Sequence, residues 1–255
     1  MIIFKKYKVV NVITLSILLQ LSSFCFSQKK QGVAIYKVKT SYAFKNIEKE
    51  GEKLILNKLF EDSGKESDIS FKLIFKDNKS VFFADRALQR DNNKVDFVSV
   101  KAKILGKIFV NLDSEEVIQN KEKFGEIFNI KSSTKDHKWI LTKETIKIGD
   151  FKCYKAELRG KRYKKNKTVA WYAPELNYHI GPLGYCGLPG LVILLKDDIF
   201  IYALKELKLN LSKQDLKIVE KPKTGIDVTK KEYDSIYKIM RERKDQLEME
   251  NYMGK

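Results

Sequence analysis

Apolar and polar residues alternate with a period of two along most of this chain, and only the last stretch changes to helical spacing. Residues 33–42 alternate β-branched and aromatic positions with polar ones, which predicts a strand. Residues 44–62 are charged but carry Ile47, Leu54, Leu56, Leu59 and Phe60, a spacing that suits a helix. Over 69–83 the pattern predicts a hairpin: Phe71, Leu73 and Phe75 alternate, Asp77 and Asn78 turn, and Val81, Phe82 and Phe83 return. Further strands are expected at 95–100, 107–112, 115–119, 125–130, 137–147, 151–158, 168–173, 190–196 and 199–209. Tight turns are expected at 164–167 and at Asp197-Asp198. Many short strands joined by polar turns describe a mainly β protein, an antiparallel β-sandwich or incomplete barrel.

The period shifts near residue 229. Thr229 followed by Glu232 forms a capping box, in which the hydroxyl accepts from the third helical amide and the carboxylate reaches back. Val228 and Tyr233 can close a hydrophobic staple around it. Tyr233, Ile236, Tyr237, Met240 and Leu247 then share one face, which predicts a C-terminal helix over about 230–250 packed on the sheet.

The first 27 residues stand apart. Lys5, Lys6 and Lys8 precede a mostly apolar run over 9–26, and Cys25 and Ser27 place small residues where a signal peptidase would cut. The expected organisation is a signal peptide over 1–27, a β-rich domain over 28–228 and an amphipathic helix over 229–255. An uncleaved anchor is the alternative, since the apolar run approaches spanning length. Acylation of Cys25 is disfavoured because bulky Phe24 precedes it. The expected location is the periplasm or the outer membrane, with peripheral contact.

Charge sharpens this picture. The chain carries +17, and the leader holds three lysines and no acid, so cleavage after Ser27 would leave +14. Only six of the fifty basic residues are Arg, whereas nucleic-acid contacts favour the Arg fork. Lysines also alternate with Glu and Asp. Nucleic acid is therefore not an expected partner, and a solvated basic surface or contact with anionic envelope material is. The densest cluster is Arg159, Lys161, Arg162, Lys164, Lys165 and Lys167, a candidate anion contact at a hairpin tip.

The strongest local signal is the decapeptide GPLGYCGLPG at 181–190. Gly181, Gly184, Gly187 and Gly190 recur every third residue, and Pro182 and Pro189 fix φ between them. The apolar run 191–195 follows at once. This is a shaped loop feeding a buried strand. It lacks the Gly-Lys-Ser/Thr of a phosphate loop, and its four triplets are too few and too bulky for collagen. Trp171, Tyr172, Tyr178 and Tyr185 surround it and could line an apolar cavity or simply fill the core. Cys153 and Cys186 remain after export, and an even pair in an exported chain points either to a disulfide or to two buried thiols.

Catalytic chemistry is thinly supported. The two histidines, His137 and His179, lie far apart and outside metal-ligand spacing, so no metal and no cofactor is expected. There is no Gly-x-Ser-x-Gly elbow. Glu175, beside Trp171 and Tyr172, could bind sugar or act as an acid, and a structural role competes with both.

Trp171-Tyr-Ala-Pro-Glu-Leu, then Gly181-Pro, then Tyr185 leading to Gly187-Leu-Pro-Gly-Leu-Val192, resembles the GLPGLI family of exported Gram-negative envelope proteins. Trp139 with Glu144 and Thr145, then Tyr154-Lys-Ala, then Arg159-Gly-Lys, follow the same order. The resemblance covers about 137–209. Val192 stands where the family name has Ile, and Cys186 replaces an aromatic or Gly. The resemblance implies a secreted, β-rich envelope protein and carries over no catalytic residue. The expected function is non-enzymatic binding of a small apolar or peptide ligand, or of an envelope protein, through Trp171, Tyr172, Tyr185, Gly187, Leu188, Pro189 and Gly190. The alternatives are a hydrolase of envelope material and a structural module on anionic glycan or lipid.

Overall fold

A computed structural model describes residues 30–40, 70–85, 97–159, 168–197 and 200–253. The leader, the helix expected at 44–62, the turn at 164–167 and Asp198 lie outside these residues.

Twelve strands form one mixed, unclosed sheet. They are β1 (Gln31–Thr40), β2 (Ser70–Lys76), β3 (Lys79–Asp85), β4 (Lys107–Asn111), β5 (Glu116–Lys123), β6 (Glu126–Ser133), β7 (Trp139–Ile148), β8 (Phe151–Leu158), β9 (Val169–Ala173), β10 (Leu191–Asp197), β11 (Phe200–Lys208) and β12 (Ile226–Thr229). Their order is β12-β6-β5-β4-β3-β2-β1-β11-β10-β9-β8-β7. Every pairing is antiparallel except β12 beside β6. The protein is thus mainly β with a C-terminal helix, as the alternation predicts. In place of two stacked sheets there is a single continuous one.

The hairpin at 69–83 forms as expected, with Asp77 in the left-handed region (φ 54°) at its two-residue turn. The alternating residues of β1 to β5 divide between two faces. Ala34, Tyr36, Phe71, Leu73, Phe75, Phe82, Ile108 and Val110 enter the main core, which they share with β8 to β11. Val33, Ile74, Val81, Phe109 and Ile118 face the other way. That second face is covered by helix α2 (Lys213–Ile218) and Val219, an element the sequence pattern does not announce. A Ser212/Asp215 capping box starts α2.

One expected strand is a helix. Of the strand expected at 95–100, residues 97–100 open α1 (Phe97–Leu105) and 95–96 lie outside the described residues; the β-branched start continues into Lys101-Ala-Lys-Ile-Leu, where Ala102 and Leu105 fall three apart and are buried. Gly106 (φ 68°) ends it, and the Gln119 amide donates to the Leu105 carbonyl at 2.8 Å.

The C-terminal helix, α3 (Lys230–Met253), begins as the capping box requires. Glu232 Oε2 accepts from the Thr229 amide at 2.7 Å, and Thr229 Oγ1 accepts from the Glu232 amide at 3.2 Å. Val228 and Tyr233 are buried against Phe128 and Ile130, so the staple fastens α3 to β6 and β12. From Arg241 to Tyr252 the helix is exposed, and Arg241–Asp245 and Lys244–Glu248 pairs run along it.

Candidate functional site

The decapeptide is a wedge in the core. Gly181 is extended, and a Cβ there would lie 2.6 Å from Val192 Cγ2. Pro182–Gly184 make a short 3-10 turn in which Leu183 and Gly184 both have positive φ. Gly184 faces β4 and β5: a Cβ would lie 2.7 Å from Ile108 Cγ2 and 3.3 Å from Val117 Cγ1. The chain then folds back, with Ile180 bridged to Cys186 and the Gly187 amide donating to the His179 carbonyl. Gly190 passes against the end of β9, where a Cβ would be 2.2 Å from the Ala173 carbonyl oxygen. The glycine spacing therefore serves close backbone approach on several sides. Across the core the Tyr36 hydroxyl donates to the Val192 carbonyl at 2.6 Å, tying β1 to the strand that the loop feeds.

Burial divides the residues expected to bind a ligand. Leu188, Trp171, Tyr172 and Gly190 are buried, so their side chains and backbone belong to the core. Trp171 is further covered by Lys155, whose Nζ sits 5.9 Å from its ring and pairs with Glu144. Tyr185 is half-buried, and Gly187 and Pro189 are exposed. These three form a rim over a closed floor.

Two side chains not expected among the binding residues complete that rim. The His137 and Trp139 rings lie 5.0 and 5.7 Å from the Tyr185 ring. Trp139 Nε1 donates to the Cys186 carbonyl at 2.9 Å, and the Tyr185 hydroxyl donates to Asp197 Oδ1 at 2.8 Å. Thr168 Oγ1 donates to the same carboxylate oxygen at 3.1 Å. The trio is fixed in orientation and partly open to solvent. Its legible signals were Trp139 at the head of an expected strand and Asp197 at an expected turn.

Of the two arrangements open to the cysteines, the structure has the buried thiols: Cys153 and Cys186 are both free and buried. Each sulfur has its own neighbour. Cys153 Sγ lies 3.7 Å from the Phe151 carbonyl, and Cys186 Sγ lies 3.4 Å from His137 Nδ1. Burial pushes both thiols up to about 12, and Glu175 adds to the effect at Cys153. Burial likewise holds the His137 imidazole below its usual value, against the pull of Asp136. Both directions favour a protonated thiol donating to a neutral imidazole. A reactive thiolate needs the reverse.

The other candidate groups do not converge. His179 is exposed and its Nε2 lies 2.7 Å from Asn177 Oδ1. Glu175 is exposed, and among the described residues no Ser or Thr hydroxyl bonds to either. No group of three or more His, Cys, Asp or Glu among the described residues could hold a metal ion. Of the basic cluster only Arg159 is described, exposed at the end of β8, its amide donating to the Lys138 carbonyl; Lys161, Arg162, Lys164, Lys165 and Lys167 lie outside the described residues.

The sequence matches no protein-family model and no curated protein. Among solved structures it is similar to PNGF-II. The P21 crystal form shares 17% identity at a TM-score of 0.52, covering 80% of this chain and 32% of that one. The C2 form shares 18% identity at 0.49, covering 78% and 31%. The chain thus spans about a third of PNGF-II, and the likeness to the P21 form is one of fold.

Proposed function

We propose that this is an exported cell-envelope protein of the GLPGLI type, located in the periplasm or at the outer membrane, that binds an apolar or peptide ligand without chemistry. The observation that carries the reading is the His137/Trp139/Tyr185 trio: half-buried rings, oriented by hydrogen bonds to Cys186 and Asp197, beside the exposed Gly187 and Pro189. Oriented aromatic groups present large apolar area at low entropic cost, which is what a binding surface requires. The protonated thiol and the absence, among the described residues, of a hydroxyl bonded to His179 favour binding over hydrolysis.

The test is native mass spectrometry of the mature protein released gently from its own envelope. A non-covalent adduct is expected on the parent protein and absent from Tyr185→Ser and Trp139→Ala variants that retain their β-sheet circular dichroism. A bare parent protein, or an adduct that survives in both folded variants, would refute the reading.

A further inference from the structure

A second surface lies near the other end of the strand order, where the β5–β6 hairpin meets α3. Lys121 Nζ sits 4.3 Å from the Tyr233 ring centroid, Lys230 Nζ 5.8 Å from the same ring, and Lys123 Nζ 5.0 and 5.7 Å from Phe124 and Tyr237. Phe124 and Tyr237 are themselves 5.7 Å apart, and both are half-buried. Among the described residues no carboxylate lies within ion-pair distance of Lys101, Lys121 or Lys123, whereas Lys230 is paired with Asp234. Lys121 is held below the ordinary lysine value first by burial, then by Lys230, with smaller contributions from Lys123 and Lys101 against the pull of Asp234. The repulsion among these ammonium groups is unfavourable, and a bound anion would remove it.

The hairpin tip supplies an independent observation. Phe124 and Gly125 form a two-residue turn with φ of 56° and 80°. Asn or Asp suits the first position of such a turn, and a bulky aromatic there is strained. The strained residue is also the one whose ring meets Tyr237 beneath Lys123. Strained backbone positions cluster at functional sites, and this one coincides with the lysine cluster. Cross-strand register puts Lys121 opposite Phe128 and Lys123 opposite Glu126, and the exposed Ile127 on the opposite face with Glu122. The lysine face is thus aromatic rather than aliphatic.

We propose that Lys121, Lys123 and Lys230, with Phe124 and Tyr237, form a binding site for an acidic glycan. The ammonium groups would take its carboxylates, and the electron-rich aromatic faces would take the slightly positive C–H face of its sugar rings. A lipid surface would call for exposed aliphatic side chains on this same face. The site is separate from the Tyr185 rim and does not depend on it.

The test titrates the mature protein with a short oligogalacturonate, a neutral dextran oligomer, and vesicles of phosphatidylglycerol in phosphatidylcholine, each at low and high salt. Oligogalacturonate should bind, more weakly as salt rises, and dextran should not. Lys121→Gln with Lys123→Gln should weaken binding about 25-fold at low salt, roughly fivefold for each ammonium group removed. Phe124→Asn relaxes the turn, so it should keep or raise the melting temperature while weakening glycan binding. Three results would each overturn the proposal: no binding by the parent protein, parent-like binding by the folded double-lysine variant, or capture by the vesicles alone.

Discussion

If the decapeptide is a wedge, its glycines should differ sharply in what an added methyl costs. Gly187 has φ 85° with nothing within 4 Å of its added Cβ, so Gly187→Ala meets only the left-handed backbone penalty of about 1–2 kcal/mol. Gly184 has nearly the same φ, 79°, but its Cβ would press on Ile108 and Val117. Those are side-chain methyls in a filled core, so overpacking adds about 1–3 kcal/mol, for a total of about 2–5 kcal/mol. Gly190 is the severest case. Its Cβ would lie 2.2 Å from the Ala173 oxygen, 2.6 Å from the Ala173 carbon and 2.9 Å from the Pro174 nitrogen. These are backbone atoms, and no rotamer change relieves them. Leu191 is paired with Ala173 in the sheet, so accommodating the methyl would pull β10 from β9. Gly190→Ala should cost more than about 4 kcal/mol, a range reached by few single substitutions. Urea unfolding of the chain from residue 28 onward would measure the series, with an unchanged slope showing that stability alone has moved. Each kcal/mol should lower the melting temperature by about 2–4 °C in a chain of this size. If Gly184→Ala and Gly190→Ala cost no more than Gly187→Ala, the segment is a surface loop and the account of its glycine spacing is wrong.

The two buried tyrosine hydroxyls should respond in opposite ways. Tyr36→Phe leaves the Val192 carbonyl without its donor and should cost about 1–3 kcal/mol, whereas the buried Tyr202 hydroxyl has no hydrogen-bond partner among the described residues, so Tyr202→Phe should be neutral or stabilising in the same unfolding assay. Maleimide labelling of the chain from residue 28 onward should modify neither Cys153 nor Cys186 in the folded state and both after denaturation without reductant; absence of labelling in denaturant would mean a disulfide. Burial lowers the His137 value from 6.5, so between that lowered value and 6.5 the unfolded chain binds more protons than the folded one. Stability from this source is complete above about pH 6.5 and is lost as pH falls through that window; His137→Phe should flatten the slope there, and an unchanged slope would show that His137 is not its origin.

Local pattern carried most of the sheet because strands buried on one face must alternate, and two-residue turns announce themselves. The register of β2 on β3 and the start of α3 follow from residues within a dozen positions of each other. What the pattern could not carry was set by distant partners. Residues 97–100 are β-branched or aromatic enough for a strand, and only Ala102 and Leu105, buried three apart, and Gly106 behind them make them helical. The short β12 pairs in parallel with β6 almost a hundred residues away, through Ile226 to Thr229, and four residues are too few to show a period. Helix α2 is only six residues long, and its placement depends on an apolar second face of β1 to β5 that no local rule assigns.

The same distinction explains which functional residues were visible. Glycine and proline leave a strong sequence signal wherever the backbone takes a special path, so the decapeptide stood out, and reading it as a binding surface followed naturally. In the folded chain most of that signal is spent on packing: Leu188 and Gly190 are core, and the special path exists to bring β9, β10 and β4 close together. The partly exposed chemistry comes instead from His137 and Trp139 on one segment and Asp197 on another, which acquire meaning only when Tyr185 is placed among them. The lysine and aromatic surface behind α3 was hidden for the same reason. Lys121 and Lys123 fall between the strands expected at 115–119 and 125–130 and look like ordinary solvated positions until Tyr233 and Tyr237, more than a hundred residues later, are laid beneath them. Phe124 was the one local clue, since an aromatic in the first position of a turn that favours Asn or Asp is a departure readable from the sequence once the turn is known.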